Sequence, residues 1–466
     1  MFLLSYPLSV KRRSQHLHQI VANIKYQYES GRISALELMS DVLRKFPINL
    51  LEEHSQLCFL PLVVQLVNDD SKKCKELISS TIGIIIKRVS TERLKSFYDY
   101  ITKWFGGVES LDNLALQRVA AQLIGLMFDF RVDFIEKKEI SRSLVDSMTC
   151  KIGREVAVNS SVILKDERWQ ILYFCLVCFE KANASNLKLF VDSVSLWALV
   201  IKSLINPHPW IQQVALRTVT GFLTHLEPTN LLSSDNPNLF FVKRKGLLYE
   251  VARNVCHQIN SNEQEQNLNL SLSVTKILSW LVQAMDNFPE LCYEDEVADS
   301  KDQKDPILWL FKRLSNIAKS KGLQRRESVF KCFAAFTTIC RSEILTKHLT
   351  LILEPMHRAL TEYENEDSSK RKKQADIDHC DFIKEVMELL ENRCGTEKFI
   401  CAYSMVKIQA SEKRDRRKQE INAEAVADPQ RAALRKIKKH EGDKRRKKRR
   451  MKENLDRGTI KRRAIE

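Results

Sequence analysis

The sequence predicts an all-α protein: a HEAT/armadillo-like α-solenoid with a charged, partly helical or disordered C-terminal tail. Only 12 of its 466 residues are Gly and 11 are Pro, and β-rich or dinucleotide-binding folds need more of both for their tight turns. Apolar residues recur at helical spacing from about residue 10 to residue 360, in blocks of roughly twenty residues. Pairs of blocks span about forty residues, the period of HEAT and armadillo repeats.

Three blocks illustrate the apolar stripe that each helix is expected to bury. In chain order, the stripes comprise Ile33, Leu36, Met39, Leu43 and Phe46; Leu111, Leu114, Val119, Leu123, Leu126 and Phe130; and Ile211, Val214, Ala215, Thr218, Phe222 and Leu226. Asn206 is expected to cap the third helix, with Pro207 in its first turn. One hairpin cannot bury its stripe alone, so neighbouring hairpins should stack. A globular all-α protein would show the same stripes, but the period and the length favour a solenoid.

The chain divides into helical repeats at residues 1–400 and a basic tail at residues 401–466. Three polar segments interrupt the repeats: two loops at about 227–238 and 362–374, and an acidic, solvated linker at about 289–306. In the tail, Asp428 and Pro429 are expected to form the N-cap and first turn of another helix.

The net charge of +16 is concentrated in the tail. Residues 411–466 hold 22 basic and 10 acidic side chains, a net of +12, which leaves +4 for the other 410 residues. No uncharged apolar run reaches the roughly 18 residues of a membrane span. We therefore expect an intracellular protein with reduced thiols, no membrane contact and a nearly neutral body.

Signals for catalysis, cofactors or metals are weak. No glycine precedes a lysine, so there is no P-loop, and no GxGxxG, GxSxG or HExxH motif occurs. Cys175 and Cys178 lie among large apolar residues without a second ligand pair, which favours buried thiols over zinc ligands. His208 is assigned to a turn between repeats. We expect no enzymatic activity, no cofactor, no metal and no small-molecule substrate, although an enzyme in an unusual helical fold is one alternative.

A run of four residues, Asp378 to Asp381, offers metal-competent atoms, including those of His379 and Cys380. Successive helical residues point about 100° apart and cannot converge on one ion. We interpret the run as the solvated start of a helix.

The tail carries the strongest functional signal, because such a density of cations repels itself unless a polyanion neutralises it. Either nuclear or nucleolar targeting or contact with RNA phosphates would use the same side chains. The tail has no aromatic residue after Tyr403, so base stacking cannot supply specificity there. The candidate residues are Arg414, Arg416, Arg417, Lys418, Arg435, Lys436, Lys438, Lys439, Lys444, Arg445, Arg446, Lys447, Lys448, Arg449, Arg450, Lys461, Arg462 and Arg463.

Six stretches, in order along the chain, resemble the C-terminal region of a known family. They are YQYESGRISALEL (26–38), FPINLLEEHSQLCFLPL (46–62), LVNDDSKKCK (66–75), NPHPWIQQVALRTVTGFL (206–223), ILWLFKRLSNIAK (307–319) and YSMVKIQASEKRDRRK (403–418). The family is component 20 of the small-subunit processome, also called down-regulated in metastasis. Its members are U3 snoRNP-associated HEAT-repeat proteins several times longer than this chain. The resemblance therefore places the chain at the final part of these proteins. The chain would then be a fragment, the product of a truncated gene model or one part of a protein that the organism splits.

The resemblance implies a scaffold of the nucleolus, inside the nucleus, that supports processing of pre-ribosomal RNA toward 18S rRNA. Its expected partners are pre-rRNA, the U3 snoRNP and other processome proteins, and the family has no catalytic residues to transfer. The main alternative is a helical-repeat scaffold or nuclear-transport-type adaptor that binds proteins and has no direct role in pre-rRNA processing. Such adaptors are expected to present an acidic surface, whereas the conspicuous charge here is basic.

Overall fold

The structure, a computed structural model, describes residues 9–106, 113–159, 168–232, 240–261, 268–292, 305–320, 322–364 and 374–463. These residues are mostly helical and contain no β-strand. None of the helices in these ranges is long and apolar enough to cross a membrane.

Two layers of helices alternate along the chain. The first layer contains α1 (Val10–Asn23), α3 (Ile48–Asn68), α5 (Thr91–Gly106), α8 (Lys138–Asn159), α11 (Val194–Ser203), α14 (Leu247–Ser261), α16 (Pro306–Lys319), α18 (Ser342–Glu364) and α20 (Thr396–Ala427). The second contains α2 (Glu29–Lys45), α4 (Lys72–Arg88), α6 (Leu114–Phe130), α9 (Arg168–Ala184), α12 (Pro209–Thr224), α15 (Leu268–Asn287), α17 (Leu323–Ile339) and α19 (Gln374–Cys394). Short helices α7 (Val132–Ile135), α10 (Lys188–Val191) and α13 (Phe240–Lys243) lie in connections, and α21 (Pro429–Arg463) follows α20.

Each first-layer helix up to α18 packs against the second-layer helix that follows it, and each second-layer helix also packs against the next one in its own layer. The predicted HEAT/armadillo-like α-solenoid is therefore confirmed. Its core is one continuous ribbon of buried side chains, running from Leu17 in α1 to Val406 in α20. Val214 and Phe222 of the third predicted stripe belong to this ribbon, whereas Phe130, at the end of the second stripe, is 38% exposed.

Arginines at the ends of second-layer helices connect neighbouring repeats. Arg88 donates to backbone oxygens of Leu43, Arg44 and Phe46 at the end of α2. Arg131, just after α6, donates to the Val89 oxygen at 2.9 Å, and Arg393 of α19 to the Cys340 oxygen at 3.3 Å. The last carbonyl oxygens of a helix have no hydrogen-bond partner within it, and each arginine supplies one. Its positive charge also interacts favourably with the negative end of the helix dipole. We call these contacts arginine clamps.

The start of α12 differs from the prediction. The helix begins at Pro209, and neither Asn206 nor Pro207 lies within it. His208 has extended backbone angles because a residue that precedes proline avoids the helical region. The Asn206 side chain instead accepts a hydrogen bond from the His208 amide at 2.9 Å. His208 itself lies in the turn between α11 and α12, the two helices of one pair, so it is a turn residue as predicted, but the turn does not lie between repeats.

Two further expectations need correction. The acidic linker at 289–306 was expected to be solvated, but Leu291 and Cys292 are buried in a 3-10 turn. At its other end, the Asp305 carboxylate caps α16 by accepting hydrogen bonds from two of its amides. Residues 293–304 lie outside the described ranges. The run at 378–381 lies within α19, where His379 and Cys380 are buried and only its two aspartates are exposed. Both errors arose because polar sequence was equated with solvent contact.

The other predicted loops lie partly outside the described ranges, at residues 233–238 and 365–373. Helix α18 extends to Glu364, and α19 begins at Gln374. The tail is helical through Arg463, and Asp428 caps α21 as predicted, with its Oδ1 2.9 Å from the Arg431 amide nitrogen. The proposed boundary at residue 400 falls inside α20 and stays a prediction.

Candidate nucleic-acid interface

The predicted site residues lie on α20 and α21. Of these side chains, those of Arg446, Arg450, Lys461, Arg462 and Arg463 lie outside the described part of the structure. The remaining predicted cations are exposed, and we call residues 411–463 the cationic arm. Within its described side chains, Arg435 pairs with Glu424 and Lys418 lies 3.8 Å from Asp415.

The run of seven cations at 444–450 lies inside one continuous helix. Successive residues of an α-helix are 100° apart, so seven of them surround the helix completely over about 10 Å of its length. This geometry presents positive charge in every direction instead of on one reading face, which suits contact with phosphates without sequence preference.

The start of the cationic arm joins the body at a groove between α18 and α20, which we call the α18–α20 trough. It has a volume of about 1020 Å³. Helices α16 and α17 supply its remaining walls. Two of the predicted residues, Arg414 and Arg417, line it together with body residues that the sequence did not reveal. Its charged side chains are the cations Lys319, Arg326, Arg358, Lys413, Arg414 and Arg417 and the carboxylates Glu354 and Glu362.

Helix α20 is held against α18 by an apolar seam. Phe399, Ala402 and Val406 of α20 are buried, at spacings of three and four residues that place them on one helical face. Beside the seam, the His357 ring of α18 packs edge-on to Tyr403, with 5.6 Å between ring centroids. This packing fixes the position of the following turns of α20, which carry Lys413 to Arg417.

Glu354 bridges two cations of the trough. One carboxylate oxygen lies 2.7 Å from the Lys319 Nζ atom, and the other lies 2.9 Å from the Lys413 Nζ atom. Burial alone would raise the pKa of Glu354, but hydrogen bonds and charge from the two lysines outweigh it, so the pKa lies below its usual value. The carboxylate is therefore ionised at neutral pH and connects α16 to α20.

Glu362 plays the same role about two turns farther along α18. Its two oxygens lie 2.7 Å from Arg326 Nη2 and 2.9 Å from Arg358 Nε. Here too burial opposes ionisation, and the two arginines lower the pKa below its usual value. Arg326 also donates to the Ala318 backbone oxygen at 3.1 Å, so its guanidinium is held at fixed points on two helices.

Arg414 and Arg417 differ from the other trough cations because neither forms an ion pair with a carboxylate within the described residues. Six cations against two carboxylates leave an excess of four positive charges. The trough is thus a fixed, electropositive groove in which four cations are held by carboxylates and two are available.

The two cysteines that the sequence assigned to the core are indeed buried, on α9. The Cys178 thiol donates to the Ala121 oxygen at 3.2 Å, and burial raises its pKa to about 12. Burial likewise raises the pKa of Cys175. No group of three metal-competent side chains is placed to hold an ion in the described ranges. His208 is stacked on Trp169, with 3.9 Å between ring centroids.

Sequence comparisons match the chain to one family. The family described as "Small subunit processome component 20 homolog, C-terminal" matches residues 116–453. The chain is similar to the "U3 small nucleolar RNA-associated protein 20" of Schizosaccharomyces pombe, 24% identical over 92% of this chain and 16% of that protein. It is 21% identical to the Saccharomyces cerevisiae protein of the same name, over 94% of this chain and 17% of that protein. The chain thus spans about a sixth of the length of these relatives.

Solved structures that are similar to the chain include a Kap121p mutant and importin beta. The Kap121p mutant is 12% identical, with a TM-score of 0.45 over 87% of this chain and 36% of that chain. Importin beta is 14% identical, with a TM-score of 0.46 over 82% of this chain and 48% of that chain.

Proposed function

Because the chain belongs to the family of the C-terminal region of small-subunit processome component 20 homologues, we propose that it is an architectural part of the U3-associated processome. In this role it works in the nucleolus, where it supports processing of pre-ribosomal RNA toward 18S rRNA. Its partners are pre-rRNA, the U3 snoRNP and other processome proteins. The observation that carries the RNA-binding part of the proposal is the cationic arm, a helical extension whose described basic side chains are exposed.

The proposed role is structural and not catalytic. A solenoid presents much surface per residue, which suits the simultaneous binding of several partners. In the trough, Glu354 and Glu362 have lowered pKa values, so they are poor proton donors at neutral pH. Lys319 and Arg326 hold these two carboxylates in ion pairs. These properties favour electrostatic holding of an anionic partner over acid–base chemistry.

The cationic arm should act both as a nucleolar address and as an RNA tether. Lys444 to Arg450 repel one another on the isolated helix, since like charges four residues apart destabilise it. A polyanion that neutralises them removes this repulsion and releases bound counterions. The free energy of the cationic arm is therefore lowest where RNA is densely packed.

Localisation in living cells tests this proposal. The full chain, fused to a fluorescent protein, is compared with a variant in which residues 444–450 are all Gln. The matched control changes Arg445, Arg446, Arg449 and Arg450 to Lys, which preserves the charge. We expect nucleolar accumulation of the wild type and the Lys control, and dispersal of the Gln variant. If the Gln variant still accumulates in nucleoli, the cationic run is not the address.

Association with the processome needs a separate measurement. The tagged full chain is purified from cells, with and without RNase, and U3 RNA and 18S precursors are quantified. We expect both RNAs to be enriched, and the recovery of processome proteins to fall after RNase treatment. RNase-insensitive recovery of transport cargo without U3 RNA would instead support the adaptor alternative.

A further inference from the structure

We propose that the α18–α20 trough binds the phosphodiester backbone of single-stranded RNA. The proposal rests on the proposed function for the source of the RNA, but its site differs from the cationic run at 444–450. It requires body residues, Lys319 and Arg326, to act together with Arg414 and Arg417 of the arm. The trough is thus a defined RNA site where the solenoid meets the arm.

The cations of the trough are positioned before any ligand arrives. Lys319 comes from the end of α16, Arg326 from the start of α17, and Lys413 from α20. Carboxylates hold all three at 2.7–2.9 Å. Because these long side chains are already ordered, binding an anion costs less rotamer entropy than it would on a free surface. Fixed charges in a groove also focus the potential more strongly than mobile ones.

The two available arginines set the contact points. Arg414 and Arg417 are three residues apart on α20, so they occupy neighbouring positions along one side of the helix. A guanidinium matches the oxygens of a phosphate in a two-pronged hydrogen-bonded arrangement. Together they can hold adjacent phosphates, while Lys319 and Lys413 add positive charge along the trough.

The dimensions favour one strand over a duplex. The lining residues of α20 extend from Val406 to Arg417, three helical turns or about 16 Å. Neighbouring helices in a solenoid have axes only about 8–10 Å apart, and a double helix is too wide to enter between them. A single backbone fits along such a groove, with its bases directed to solvent, so binding should be independent of sequence.

A phosphate polymer is favoured over an acidic peptide. The trough opens onto the cationic arm, whose residues 411–463 hold 22 basic and 9 acidic side chains, a net charge of +13. A strand of uniform negative charge can continue from the trough onto this surface and gain contacts at every step. Within the trough, Glu354 and Glu362 already form ion pairs with four of the cations. Arg414 and Arg417 remain for the oxygens of the phosphates.

The test uses the full chain and a fluorescein-labelled 12-nucleotide oligouridylate, with binding followed by fluorescence anisotropy from 50 to 300 mM salt. The trough variant is R414Q/R417Q. The matched control is K398Q/K407Q, which removes the same charge from the same helix at exposed residues that belong neither to the trough nor to the cationic arm. A third variant, K319Q, changes only the body.

Loss of two phosphate contacts should lower the affinity of R414Q/R417Q about tenfold near 100 mM salt and reduce the log–log salt slope by about 1.4. The K319Q slope should fall by about 0.7. K398Q/K407Q should change affinity by less than about threefold, through diffuse charge alone. Equal losses for the trough variant and its control, or no effect of K319Q, would show that the RNA is bound by diffuse charge and would overturn the proposal.

A local readout separates the trough from the remaining arm. Brief acetylation, followed by mass spectrometry, should show that oligouridylate protects Lys319 and Lys413 more than Lys418, whose side chain is 76% exposed. A duplex RNA of the same length should protect the two trough lysines less. If poly-glutamate of equal charge protects them as well as oligouridylate, an acidic protein is the better partner. A chain that recovers U3 RNA from cells but shows no trough protection would refute this site and leave the proposed function standing.

Discussion

The ion pair between Arg32 and Asp69 should be a large stabilising contact of the N-terminal repeats, and Asp69→Asn tests this. Arg32 belongs to α2, and Asp69 follows α3 directly. The Arg32 Nε atom lies 3.0 Å from Asp69 Oδ2, and the Asp69 side chain is fully covered. Gln65 and the Ser71 amide donate to the same carboxylate at 2.8 and 2.9 Å. Burial alone would raise the pKa of Asp69, but these hydrogen bonds and Arg32 lower it below its usual value.

The expected cost follows from the burial of both partners. Removing one member of a buried pair costs about 3–5 kcal/mol, because the other charge stays buried and uncompensated. Arg32 retains some access to solvent and a second partner, Asp70, at 3.1 Å, so the lower end of this range applies. We therefore expect Asp69→Asn to destabilise these repeats by about 3 kcal/mol.

Asp70→Asn is the matched control. Asp70 contacts the same guanidinium, but its side chain is 93% exposed, and exposed pairs contribute about 0–1 kcal/mol. Because solenoids unfold in part by repeats, the change is measured by hydrogen exchange of peptides from α2 and α4, alongside urea unfolding followed by circular dichroism. Equal effects of Asp69→Asn and Asp70→Asn, or a loss below about 1 kcal/mol at Asp69, would refute the burial argument.

Three further outcomes are expected. Cys150 and Cys401 are exposed, whereas burial raises the pKa of Cys178 to about 12, so N-ethylmaleimide should modify Cys150 and Cys401 before Cys178 in the native chain. Early labelling of Cys178, seen by mass spectrometry, would contradict its burial. Burial lowers the pKa of His348 below 6.5, so the unfolded state binds more protons as pH falls through 6.5 and stability declines. Thermal melts at pH 7.5 and 5.5 should therefore differ less for His348→Gln than for the wild type. Finally, oligouridylate should increase the helical circular-dichroism signal of the chain by relieving repulsion at 444–450, and an unchanged signal would argue against it.

The fold could be predicted from sequence because helical periodicity records burial directly. Residues such as Val214 and Phe222 recur on one face since that face packs against neighbours. The sequence prediction missed some local features, and the reasons are also physical. Two prolines, at positions 207 and 209, place the start of α12 at Pro209. Asp305 is a helix cap and not part of a solvated linker. Capping and burial depend on what lies nearby in space, which charge counting ignores.

The candidate site could be predicted only in part. Runs of cations are visible in one stretch of sequence, and this identified Arg414 and Arg417. Their partners in the trough were not identified, because Lys319 and Arg358 are isolated cations on helices with ordinary apolar stripes. Only the packing of α20 on α18 brings them together. A signal existed in Lys413, next to the recognised cluster, but nothing in the sequence connected it to Glu354.

The arginine clamps explain why charge in the body and charge in the arm have different meanings. A hydrogen bond from a charged donor contributes about 1.5–3 kcal/mol, and Arg88 makes three such contacts to the end of α2. Arg131 and Arg393 repeat this arrangement between later pairs of helices. These cations serve the fold, because their hydrogen bonds to carbonyl oxygens hold the ends of neighbouring helices together. In the described part of the structure, Arg414 and Arg417 of the cationic arm have no such carbonyl partner, so their free energy falls mainly when an external polyanion approaches. The number of basic residues is therefore a poor guide to RNA contact in this chain, and the partner of each guanidinium is a better one.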